Sequence, residues 1–100
     1  MLRGNLRRAL ALVRTRTHRG PATPVALYER PGCGLCEEAH RALRRIGLDR
    51  PLEIRRVDIE RDPALTERYA LRIPVLRSGD RELDAAGLDD GAIARWLTAP

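Results

Sequence analysis

Between residues 25 and 46 the apolar pattern changes period, and the change falls on Cys33-Gly34-Leu35-Cys36. Upstream, Val25 and Leu27 lie in a short apolar run that ends at Arg30-Pro31-Gly32, the pattern of a strand closed by a turn. Downstream, Cys36, Ala39, Leu43 and Ile46 recur at intervals of three and four, which predicts an amphipathic helix over 34–46. Gly47 closes that helix and is expected to take the left-handed cap conformation that glycine favours. A chain that passes directly from strand to helix through two cysteines has both thiols in or beside one helical turn.

The remaining residues continue the alternation. Leu52 to Ile59 is a β-rich run in which Leu52 and Ile54 share one face and Val57 and Ile59 the other. A bulge near Arg55-Arg56, or burial of both faces, accounts for the switch. Asp62-Pro63 predicts a helix start, an acid at the cap and proline in the first position, with the helix running to about Ala70 and Leu65, Tyr69 and Ala70 inward. Ile73-Pro74-Val75-Leu76 reads as a third strand, Ser78-Gly79-Asp80 as a turn and Glu82-Leu83-Asp84 as a weak fourth strand. Asp89 or Asp90 caps a last helix with Ile93, Trp96 and Leu97 as its stripe. The order β-α-β-α-β-β-α places the chain in the α/β class, with the first strand pair parallel and the last an antiparallel hairpin. One hundred residues hold one core. There is no internal repeat or low-complexity tract.

The net charge of +5 belongs to one end of the chain. Residues 1–23 carry six arginines and no acid, whereas residues 24–100 carry thirteen arginines and fourteen acids. The near-neutral body argues against a nucleic-acid partner. Domain boundaries are therefore expected at a basic extension, 1–23, and a folded domain, 24–100, with Gly20, Pro21 and Pro24 at the junction. Leu2, Leu6, Ala9, Leu10 and Val13 give the extension helical spacing. It reads as an untethered arm or short helix, or as translation from a start codon placed too early, with an arm for a membrane surface or an acidic partner and an organelle transit peptide as alternatives. No apolar run approaches the roughly 18–20 residues of a membrane span, and Leu10-Ala11-Leu12-Val13 is too short for a signal-peptide core. A cytoplasmic monomer is the expectation.

Two cysteines cannot make a disulfide framework, and a bond closing so small a loop contributes little as a staple. Their position suggests exchange chemistry instead. The thiolate is the nucleophile, and a helix N-terminus, with unpaired N–H groups and partial positive charge, stabilises one. Cys33 stands at that terminus and is expected to attack; Cys36, one turn deeper, is expected to resolve the mixed disulfide. Arg30 adds positive potential, while Glu37 and Glu38 oppose it. Inert core cysteines remain an alternative, as does a metal site drawing on Cys33, Cys36, His40 and His18, although such a site needs four ligands. Ile73-Pro74 at a strand start admits two readings: a trans proline tolerated there, or a cis proline packed on the cysteine loop.

Taken together, Arg30-Pro31-Gly32-Cys33-Gly34-Leu35-Cys36-Glu37, the stretch Val57-Asp58-Ile59-Glu60-Arg61-Asp62-Pro63, and Tyr69-Ala70-Leu71-Arg72-Ile73-Pro74-Val75 resemble the glutaredoxin-like branch of the thioredoxin superfamily, in particular its small bacterial members. The likeness covers about residues 24–98. It implies a four-stranded mixed sheet flanked by three helices, and a thiol–disulfide oxidoreductase acting in cell redox homeostasis with Cys33 as nucleophile and Cys36 as resolving thiol. It implies a cis Pro74 with the Ile73 backbone pairing with a substrate chain or glutathione, and Arg30 near the residue that holds a glutathione carboxylate. Asp89 caps the last helix near such a ligand. No bound cofactor is implied; glutathione is a co-substrate, and the partners are protein disulfides and a glutathione- or thioredoxin-type reducing system. Gly34 and Leu35 replace the usual proline and aromatic between the cysteines, and Ala85-Ala86 stands where a glycine pair helps bind glutathione. A non-catalytic thioredoxin-like binding module is the alternative function.

Overall fold

The computed structural model describes residues 20–99. Except for residues 20–23, the basic extension, with His18, lies outside the described residues. Thr23 already belongs to the first strand, β1 (Thr23–Glu29), and its N–H donates to Pro51 O at 3.0 Å. Helix α1 (Gly34–Ile46) carries the chain back to β2 (Leu52–Asp58). A single 3-10 turn (Ile59–Arg61) leads to α2 (Pro63–Tyr69), followed by β3 (Val75–Ser78), β4 (Arg81–Asp84) and α3 (Asp90–Thr98). The sheet order is β2-β1-β3-β4. β1 and β2 are parallel, as a helical crossover permits, and the pairs β1–β3 and β3–β4 are antiparallel. This is the four-stranded mixed sheet with three helices that the sequence predicts, in the predicted order.

The period switch in β2 is explained by burial on both faces. Thr23 to Glu29 pair with Leu52 to Asp58 residue by residue, so there is no bulge at Arg55-Arg56. Leu52 and Ile54 pack with Val25, Leu27 and Leu76 under α1 and α3, which contribute Ala39, Leu43, Ile93 and Leu97. Val57 and Ile59 pack on the other face with Tyr28, Val75 and Tyr69 of α2. Tyr28 and Tyr69 stack there with ring centroids 4.4 Å apart.

Several local expectations need adjustment. Ile59 leaves the strand and opens the 3-10 turn because the Asp58 carboxylate accepts the Glu60 N–H at 2.9 Å and caps it. Gly47 is right-handed, with φ −62°, and the chain leaves α1 through further turns in which Leu48 N–H bonds Arg45 O and Asp49 N–H bonds Ile46 O. The left-handed cap is therefore absent at Gly47. β3 begins at Val75 rather than Ile73, since proline has no N–H to give the ladder. The Pro74 carbonyl still accepts the Ala85 N–H at 2.9 Å. Gly79, with φ +64°, turns the hairpin in the region glycine favours. Asp62 and Asp89 cap α2 and α3 through bonds from Ala64 and Ala92 N–H at 2.9 and 2.8 Å.

Candidate thiol–disulfide site

The sheet register gathers three loops at one end. Tyr28, beside the last residue of β1, pairs with Val75 at the start of β3, and Val75 pairs with Asp84 at the end of β4. The cysteine loop after β1, the Ile73-Pro74 approach to β3 and the Ala85–Asp89 segment after β4 therefore share that end of the sheet. Gly32, with φ +74° and nothing within 4 Å of where a Cβ would stand, turns the chain from β1 into the cysteines.

Cys33 is the N-cap of α1, and its sulfur accepts the Cys36 N–H at 3.2 Å. This is the placement expected to favour a thiolate: a sulfur against the unpaired N–H groups of a helix start. Cys33 is half-buried and Cys36 is fully buried. The two are joined as a disulfide with Cα atoms 5.2 Å apart. The Ile73–Pro74 peptide bond is cis and Pro74 is buried.

Arg30 and Asp89 are not brought to one cavity. Arg30 is exposed and lines a cavity of about 150 Å³ with Pro31, Glu37 and Arg56. Asp89 lines another of about 540 Å³, between α1 and the start of α3, with Leu35, Gly87 and Leu88. Its Oδ1 is already engaged as the helix cap. Ala85, which stands where the family's glycine pair is usual, is buried. Among the described residues no three of His, Cys, Asp and Glu are grouped to hold a metal ion. His40 has its pKa lowered by partial burial and then by the charge of Arg56.

The residues that sequence reasoning missed are Glu29 and Arg56. Glu29 ends β1 with only 8 % of its surface exposed, on the face that packs against α1. Arg56 of β2 grips it with two bonds, Nε to Oε2 at 2.6 Å and Nη2 to Oε1 at 2.8 Å. The same Nη2 reaches Glu37 Oε1 in α1 at 2.6 Å. The available signal was a carboxylate closing an otherwise apolar strand, which must find a partner if buried.

A helix-capping cysteine bonded to a buried second cysteine, on this fold, defines a protein of the thioredoxin-like class. The sequence profile of the glutaredoxin-like domain family (DUF836) matches residues 24–98, and the chain belongs to that family. It is similar to the protein XcR50 from X. campestris, seen by X-ray crystallography, with 37 % identity, coverage of 76 % of this chain and 99 % of that one, and a TM-score of 0.67. It is also similar to protein Ne2328 from Nitrosomonas europaea, with 31 % identity, 82 % and 99 % coverage and a TM-score of 0.68. NrdH-redoxin from Escherichia coli, described as a glutaredoxin-like protein with a thioredoxin-like activity profile, shares 25 % identity over 77 % of this chain and 99 % of its own, with a TM-score of 0.55. No curated protein matches. Family and cysteine pair together support a thiol–disulfide redox role. No helix among the described residues is long and apolar enough to cross a membrane.

Proposed function

We propose that the chain is a dithiol oxidoreductase that reduces protein disulfides or glutathione mixed disulfides. The observation that carries this reading is the half-buried Cys33 at the cap of α1, bonded to a fully buried Cys36. In the reduced protein, the Cys33 thiolate attacks one sulfur of the substrate disulfide. A Cys33–substrate disulfide forms, and the other substrate sulfur leaves as a thiolate and takes a proton. Cys36, deprotonated, then attacks Cys33 Sγ, forms the intramolecular disulfide and releases the second substrate thiol. Two electrons pass from the dithiol to the substrate, and an external dithiol or two molecules of glutathione restore the pair. The Ile73 backbone beside cis Pro74 supplies the edge for an extended substrate chain. Arg30 and Asp89 are the residues to which a glutathione carboxylate and its neighbouring groups would turn.

The thioredoxin-like profile of NrdH-redoxin favours a thioredoxin-type reductant, as do the separate cavities of Arg30 and Asp89 and the alanine at position 85. The test is NADPH consumption with a small disulfide substrate, comparing a thioredoxin-reductase system with glutathione and glutathione reductase. Faster turnover with the former is expected, and loss of turnover in Cys33→Ser. Full activity in Cys33→Ser overturns the assignment of roles; no turnover with either system leaves the binding-module reading in its place.

A further inference from the structure

Glu37 raises a problem for the chemistry just assigned. It stands in the first turn of α1, four residues after Cys33, where an acid draws on the same positive helix end that would stabilise a thiolate. Arg56 meets that charge. Its planar fork closes on Glu29 from β2, and its Nη2 also holds Glu37, so one guanidinium links β1, β2 and the start of α1. The other charged groups at this end are Arg30 in the connecting loop, Asp58 on β2, Glu38, His40 and Arg41 on α1, and Arg72 before Ile73-Pro74. None of these forms an ion pair with Glu37 among the described residues.

We propose that Arg56 is a positioning residue for Cys33: shared between Glu29 and Glu37, it holds the Glu37 carboxylate against the sheet and offsets part of its charge, leaving more of the positive end of α1 to the Cys33 thiolate. This rests on the reading of Cys33 as nucleophile. It differs from a purely structural role, in which Arg56 would serve only to satisfy buried Glu29.

The experiment uses the reduced full chain carrying Cys36→Ser, so that Cys33 is the thiol followed, and measures the pH midpoint of its alkylation by iodoacetamide. Glu37→Gln changes an exposed residue and keeps the Glu29–Arg56 pair. It is expected to lower the midpoint by about half a unit, about threefold in thiolate fraction at lower pH. Glu29→Gln with Arg56→Gln removes a net-neutral pair without leaving a lone buried carboxylate and frees Glu37 from its partner; the midpoint is expected to rise, by less than Glu37→Gln lowers it. Adding Glu37→Gln to that double variant is expected to reverse the rise. An unmoved midpoint in Glu37→Gln, or a rise in the double variant that Glu37→Gln does not reverse, overturns the proposal. Should the double variant fail to fold, Arg56→Lys is read in its place: it keeps a cation beside Glu29 but gives up the planar fork that reaches both carboxylates, and an unmoved midpoint there overturns the proposal. Failure of the underlying reading is separate: Cys33 would then alkylate no faster than Cys36 does in Cys33→Ser.

Discussion

The Tyr69 hydroxyl donates to Glu82 Oε2 at 2.5 Å, which fastens a buried ring at the end of α2 to the edge strand β4. Glu82 also receives Arg68 at 3.2 Å and Arg72 at 3.1 Å, and Arg72 reaches Asp84 at 2.8 Å. Arg72 directly precedes Ile73-Pro74, so this network anchors the approach to β3. Tyr69→Phe keeps the ring stack on Tyr28 and removes the hydroxyl. It is expected to cost about 1–2 kcal/mol, read as a lower urea midpoint with an unchanged slope.

The same network predicts an acid dependence. The Tyr69 hydroxyl first, then Arg72 and Arg68, hold the Glu82 carboxyl below its ordinary value of 4.5. The unfolded chain binds that proton more tightly, so the stabilisation is present above the ordinary value and is lost as pH falls through the lower, folded one. Glu82→Gln should therefore be less stable than the parent at neutral pH, with the difference shrinking under acid. Urea midpoints measured between about pH 7 and about pH 3 check this.

Cys36→Ser is expected to stop the reaction at its first step. A substrate thiol should remain bonded to Cys33, visible by mass spectrometry as an adduct that dithiothreitol removes. The Cys33→Ser counterpart should collect no adduct under the same conditions.

Leu43 is fully buried between α1 and the sheet, in the cluster that also holds Leu27 and Leu97. Leu43→Ala should cost about 2–5 kcal/mol, through lost transfer energy and the cavity left behind. Asp89→Ala should cost less, about 0.5–2 kcal/mol, since it removes one cap bond to Ala92 N–H. Chemical denaturation of both variants tests the ranking.

The elements of the domain were legible because each carries a local signal: period in α1 and α3, Asp62-Pro63 for α2, Ser78-Gly79-Asp80 for the hairpin. The placement of Cys33 and Cys36 was legible for the same reason, since strand and helix meet at the pair. The Glu29–Arg56–Glu37 group was not, because it joins three elements far apart in the chain and depends on parallel register. The separation of Arg30 from Asp89 was hidden for a like reason. Gly47 misled because glycine permits a left-handed cap without requiring one, and successive tight turns satisfied the last carbonyls of α1 instead.

The central place of β1 has a consequence for local motion. Hydrogen-bonded neighbours flank it on both sides, and helices cover both of its faces. Its Leu27 and Tyr28 amides should thus exchange with deuterium only when the whole domain opens, whereas those of the exposed Gly32 and Gly34 should exchange by local excursions. A slow-exchanging base directly joined to a fast-exchanging tip would let the reactive end adapt to differently shaped partners without loosening the sheet that carries it.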